Sequence, residues 1–101
     1  MARNRGSKAG GGSWTDAELR AVWSKGAVII GKSSTEYRQD VCGATMWFSA
    51  HGDISDPHGW EVDHMTPVAA GGGDEIKNLQ PLHWKNNRAK GDGPLKCDVK
   101  S

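Results

Sequence analysis

Apolar residues along this chain fall into a few short patterned segments. Leu19, Val22 and Trp23 share one face of a helical spacing. Ser13 and Thr15 stand before them as candidate N-caps, Asp16 and Glu18 suit the positive end of a helix dipole, and Gly26 stops the run. The pattern predicts a helix over about 14 to 25. Val28, Ile29 and Ile30, closed by Gly31, are too few for periodicity to separate a buried strand from a packed turn. A second apolar stretch, Cys42 to Ala50, contains Met46, Trp47 and Phe48, and Gly52, Asp53, Asp56, Pro57 and Gly59 then mark a loop. From Trp60 the sequence Trp-Glu-Val-Asp-His alternates as a strand should. Met65 to Asp74, with Pro67 and Gly71-Gly72-Gly73, must be a loop, and Leu79-Gln80-Pro81-Leu82 reads as a second strand. Pro81 is tolerated because a two-stranded ribbon has only edges. His83 to Lys90 reads as a helix ended by Gly91, giving the order strand, long loop, strand, helix.

The 101 residues, 36% of them apolar, make room for one compact domain. Residues 1–12 combine Arg3, Arg5 and Lys8 with four glycines, a composition expected to stay disordered. A single domain is expected over 13–101, with its core at 60–91. No window has the apolar length to span a bilayer, and the N-terminus lacks the hydrophobic stretch of a secretory signal, so a soluble, cytoplasmic protein with no membrane partner is expected. On that premise Cys42 and Cys97 are expected to be free thiols. The five tryptophans, 14, 23, 47, 60 and 84, are scattered in the manner of core packing rather than of a base-stacking platform.

Charge is segregated. Glu36, Asp40, Asp53, Asp56, Glu61, Asp63, Asp74 and Glu75 face only Arg38 between Ser33 and Glu75. Lys77, Lys85, Arg88, Lys90, Lys96 and Lys100 face only Asp92 and Asp98 in the C-terminal quarter. Such an asymmetry suits a polyanionic partner beside a carboxylate-bearing site.

The segment from Trp60 also concentrates the chemistry: Asp63-His64, then Asn78, His83 and Asn87. On a helix His83 and Asn87 lie four apart on one face, which Lys90 joins, and this fits metal binding. Asp63 is a third candidate ligand, and His64 has the near-neutral titration needed to take a proton from water. Successive strand residues point to opposite faces, so a shared site for Asp63 and His64 requires the strand to end or bulge there. Asn78, whose amide both donates and accepts, is suited to hold the ends of the long loop.

Glu61-Val62-Asp63-His64, Pro67, Gly71-Gly72, Asp74, Asn78-Leu79-Gln80-Pro81-Leu82, Asn87 and Lys90 together resemble the signature of the HNH endonucleases. Upstream, Arg38, Asp40 and Cys42-Gly43-Ala44 resemble segments preceding that motif in small phage-type members. The resemblance implies an α+β fold with a ββα-metal (His-Me finger) motif, against which the N-terminal helix and short strands pack. It implies His64 as general base, Asp63 and Asn87 as metal ligands, and Asn78 as the loop brace. His83 occupies a position similar to the first metal histidine of colicin-type nucleases and is expected as a further ligand. The third letter of the motif is asparagine, an HNN variant. Many members carry two Cys-x-x-Cys knuckles; here Thr45 follows Cys42 and the helix offers His83 and Asn86, so no structural zinc is expected.

The implied reaction is hydrolysis of a DNA phosphodiester with one divalent cation, leaving 5′ phosphate and 3′ hydroxyl ends. One carboxylate, one amide and one imidazole favour Mg²⁺ or Mn²⁺, with Ni²⁺ or Zn²⁺ if His83 dominates. Lys85, Arg88 and Lys90 are expected to contact the DNA backbone. With one site per chain and no heptad run, a monomer that nicks one strand is expected. Two other readings are a non-catalytic metal-containing DNA-binding module and an interaction domain with a merely solvated charged surface. The former has no use for Asp63-His64, and the latter predicts no metal binding. His51 and His58 match no motif position and are expected to be loop residues.

Overall fold

A computed structural model describes residues 6–101; Arg3 and Arg5, assigned above to the basic tail, lie outside the described residues. The first helix, α1, is Asp16–Trp23. It is shorter than the predicted span because its ends are set by caps. The Thr15 side chain accepts from the Glu18 amide and the Glu18 side chain accepts from the Thr15 amide, a reciprocal capping box, while Ser24 closes the other end. Val22 and Trp23 are buried, and Leu19 packs against the same core.

Three short antiparallel strands follow: β1 (Ala27–Val28), β2 (Tyr37–Gln39) and β3 (Thr45–Trp47), with β2 central. The ambiguous Val28–Ile30 run is neither a buried strand nor a packed turn: Val28 lies on an edge strand and Ile30 is fully exposed. Met46 points inward from β3. The predicted ribbon follows as β4 (Trp60–His64) and β5 (Leu79–His83), antiparallel in unbroken register from Trp60↔His83 to His64↔Leu79. Helix α2 is Trp84–Lys90, with Gly91 as its C-cap.

A two-stranded ribbon is marginal alone, so its stability depends on what it covers. Trp60, Val62 and Leu79 join Val22, Trp23 and Met46 in one buried cluster, edged by Trp14, Leu19 and Phe48. Trp23 meets both Trp60 (ring centroids 5.1 Å apart) and Phe48 (5.4 Å). Each such buried side chain contributes about 1.5–3 kcal/mol relative to exposure. The described part is therefore α+β, and no helix in it is long and apolar enough to cross a membrane.

Two expectations change here. Cys42 and Cys97 are not free thiols but form a disulfide closing a separation of 55 residues. The C-terminal segment turns back because Asn86 pairs with the Val99 backbone in both directions, at 2.7 and 2.8 Å, which brings Cys97 beside the β2–β3 turn. The same turn is built on buried Asp40. Its Oδ1 accepts from the amides of Cys42 and Ala44, and its Oδ2 accepts from the amide of His83 and from Asn86 Nδ2. One carboxylate thus ties the three-stranded sheet to the junction of β5 and α2.

Residues 6–12, read from composition as part of a disordered tail, make defined contacts. Gly6 carbonyl accepts from Trp14 Nε1 (2.6 Å), Lys8 pairs with Glu18 (3.0 Å), and the Ala9 amide donates to Asp74 (2.9 Å). Composition alone misses this because the partners are single side chains elsewhere, not an apolar face of the segment itself.

Candidate active site

Strand β4 carries Glu61 and Asp63 on one face and delivers His64 at its last position; all three are buried. The expected bulge is absent, since pairing with β5 continues through His64↔Leu79. Asp63 and His64 nevertheless border one small recess because it lies where the strand ends, between the start of the long loop and the end of α2. Pro67, Asn87, Gly91 and Asp92 complete it, and Gly6 lies at its edge.

On one side of the recess Asp63 is fixed at both oxygens. Oδ1 faces Lys90 Nζ at 3.2 Å, and Oδ2 accepts from Gln80 Nε2 at 2.9 Å, the residue opposite it on β5. Asn87 donates its Nδ2 to Glu61 Oε1 (2.8 Å), which leaves Oδ1 as the amide atom available to a cation. Glu61 is held in turn by Arg88, through Nη2 at 2.8 Å and Nε at 3.3 Å. That paired hydrogen bond raises the Arg88 guanidinium further above its ordinary value, against the opposing effect of burial. Glu61 therefore sets the orientation of Asn87, a role that composition did not suggest but that its i, i+2 relation to Asp63 on a strand could have.

On the other side stands the loop of residues 65–78. Asn78 spans it: Oδ1 accepts from the Thr66 amide (2.8 Å), and Nδ2 donates to the carbonyls of Thr66 (3.1 Å) and Gly73 (3.0 Å). The chain passes so closely that a Cβ at Gly72 would lie 1.8 Å from the Thr66 carbonyl oxygen, and Gly71 takes φ +92°, so these two positions require glycine. The loop brings Asp74 Oδ1 to 2.8 Å from His64 Nε2. The other ring nitrogen, Nδ1, is buried with no hydrogen-bond partner. Trp14 lies against the His64 ring at a centroid distance of 6.0 Å.

Asp63, His64, Asn78 and Asn87 are thus brought together around the recess or its bracing loop. His83 is not. It ends β5 and caps α2 instead of lying within the helix, so the i, i+4 relation to Asn87 does not hold. Its Nδ1 accepts from the Lys85 amide (3.1 Å) and its Nε2 pairs with the Pro57 carbonyl (2.7 Å), away from Asp63. Of the three basic residues expected at DNA, Lys85 is exposed, Arg88 is half-exposed but bound to Glu61, and Lys90 is buried. Lys90 Nζ reaches Asp63 and the His64 carbonyl (3.2 Å), so it serves the inside of the site and not its surface. His51 packs tilted against Trp60 at a ring-centroid distance of 4.9 Å, and burial, opposed by the charge of Glu61, lowers its pKa. Asp92, which the sequence offered only as one charge in a basic segment, borders the recess as a second carboxylate.

Among the described residues no three His, Cys, Asp or Glu side chains converge as a closed metal cage. The donor set at the recess is instead open and oxygen-based: Asp63 and Asn87 Oδ1, with Lys90 balancing the carboxylate. Such a set fits a hard divalent ion that keeps most of its waters, and it does not fit a tetrahedral zinc site. His64, which borders the same recess and whose Nδ1 is unpartnered, fits a role toward a bound water or hydroxyl.

No curated protein and no solved structure matches the chain. The model of the HNH endonuclease family matches residues 41–93, more than half of the sequence and all of β4, the loop, β5 and α2. With strand, braced loop, strand and helix arranged around Asp63, His64, Asn78 and Asn87, the chain belongs to the HNH endonucleases, a family of phosphodiester hydrolases.

Proposed function

We propose that this chain is a divalent-cation-dependent DNA endonuclease that nicks one strand, with His64 as general base and Asp63 and Asn87 as the protein ligands of a single ion. The observation that carries the reading is the His64 ring. One nitrogen is anchored on Asp74, the other is buried without a partner, and the residue borders the recess that Asp63 and Asn87 share.

His64 Nδ1 accepts the proton of a water as that water's oxygen attacks phosphorus in line. The P–O3′ bond breaks, leaving a 5′ phosphate and a 3′ hydroxyl. A divalent cation held by Asp63 and Asn87 would supply charge neutralisation for the scissile phosphate and the leaving oxygen. The oxygen donors favour Mg²⁺ or Mn²⁺, and the engagement of His83 elsewhere removes the argument for Ni²⁺ or Zn²⁺. Glu61 keeps Asn87 Oδ1 available, Gln80 and Lys90 fix Asp63, and Asn78 holds the loop that carries Asp74. Exposed Lys85 and the outer face of Arg88 are suited to the DNA backbone, where cations give affinity without reading sequence.

Asp63→Ala and Asn87→Ala are expected to weaken Mn²⁺ binding, measured by calorimetry, and to lower cleavage in a way that excess Mn²⁺ partly reverses. His83→Ala is expected to leave Mn²⁺ affinity unchanged. An unchanged affinity in Asp63→Ala together with a loss in His83→Ala would move the ion to the other face of the helix start.

A further inference from the structure

The long loop ends in a way that the general-base reading does not by itself require. Asn78 holds the Gly73 carbonyl with its side chain and the Glu75 carbonyl with its own amide (2.8 Å), so the residue between them, Asp74, is fixed on both flanks. Asp74 spends one oxygen, Oδ1, on two donors: His64 Nε2 at 2.8 Å and the Ala9 amide at 2.9 Å. Burial alone would raise its carboxyl, but the hydrogen bonds from His64 and Ala9 and the positive charge of Lys8 hold it below the ordinary carboxylate value. It is therefore an ionised group that only accepts.

We propose that Asp74 is a positioning residue that fixes the tautomer of His64, and that the braced loop exists to present it. This rests on His64 being the base. A neutral imidazole carries one proton, and a carboxylate beside Nε2 claims it, because an unprotonated Nε2 would face the carboxylate lone pair to lone pair. The proton on Nε2 leaves Nδ1 with a free lone pair; Nδ1 is the buried, unpartnered atom of a residue that borders the recess. In the opposite tautomer Nδ1–H would be a buried donor without an acceptor, and the ring would have no pair of electrons to offer water. The tilted Trp14 ring and the Lys90 bond to the His64 carbonyl restrict the ring and backbone, but neither selects a tautomer. Asp74 does. When Nδ1 takes a proton the ring becomes an imidazolium, and the adjacent carboxylate stabilises that charge without accepting the proton itself.

The test uses the full chain labelled with ¹⁵N at histidine. In the metal-free protein at a pH where His64 is neutral, its ring is expected to show the Nε2–H pattern. In Asp74→Ala that pattern should collapse toward a mixture, while kcat for plasmid nicking falls about 10- to 100-fold with KM unchanged, part of the 10²–10⁴ that a positioned base supplies. Ala9→Pro removes only the other donor to Asp74, and it should keep both the tautomer and kcat within about threefold of wild type, on the premise that Asp74 does not act by anchoring the N-terminal segment. A wild-type Nδ1–H tautomer, an unchanged ring pattern in Asp74→Ala, or equal losses in Asp74→Ala and Ala9→Pro would each overturn the assignment. Because the ring pattern is read without cleavage, it separates this proposal from the base reading, which fails instead if His64→Ala retains wild-type kcat.

Discussion

Replacing His64 with alanine is expected to lower the rate of DNA cleavage by about 10²–10⁴-fold, the usual contribution of a positioned general base, while leaving Mn²⁺ affinity within about twofold of wild type. The two halves of this result come from opposite sides of the recess. The imidazole is anchored on Asp74 from the loop, whereas Asp63 is fixed by Gln80 and Lys90, and Asn87 by Glu61. Removing the ring cuts none of the latter contacts. The side chain is buried, so a stability control is needed, and thermal unfolding of His64→Ala monitored by circular dichroism supplies it. If the folded variant loses Mn²⁺ along with activity, His64 is a ligand and the base must be another group.

The Cys42–Cys97 bridge is expected to carry much of the stability of this small domain. It closes 55 residues of chain, for which loop-closure entropy gives about 4 kcal/mol and measured bridges typically give 2–4. For a domain of this size that corresponds to a fall in Tm of about 10–25 °C in Cys97→Ser, or in wild type under reductant. Below the new Tm cleavage should persist, because the bridge ties the β2–β3 turn to the C-terminal segment and neither cysteine borders the recess of Asp63 and His64. Two thiols titratable per chain in the unreduced protein, or an unchanged Tm in Cys97→Ser, would overturn the pairing.

How much of this was readable in advance depended on range. The ribbon and its loop were legible because strand alternation, the triple glycine and Pro81 are local signals, and the structure places β4 and β5 close to the predicted residues. Helix α1 was legible in existence, and its caps corrected its ends. His83 was misplaced by one structural position: as strand end and N-cap it points its ring at Pro57, and a helix drawn one residue too long turns a cap into a ligand. The disulfide and the Ala9–Asp74 contact were illegible because their partners lie 55 and 65 residues away, and the Gly6–Trp14 and Lys8–Glu18 contacts because single side chains make them without any apolar pattern in the segment. Asp74 stood in the motif without a role, since nothing local says that a loop residue ten positions on returns to His64. Lys90 looked like a surface cation by type, and only the packing of α2 on β4 shows that it neutralises Asp63 from within.

Incubating the purified chain with supercoiled plasmid, with EDTA or with Mg²⁺ or Mn²⁺, and following the products over time reads the proposed activity itself. Cation-dependent nicking by this chain predicts no cleavage in EDTA. With either ion it predicts conversion to open circles well before linear DNA appears, at a rate proportional to chain concentration, and nicks that carry 5′ phosphate ends sealable by a ligase. Cleavage that survives EDTA, absence of cleavage with every divalent ion tried, or linear product formed directly from supercoiled DNA would contradict it.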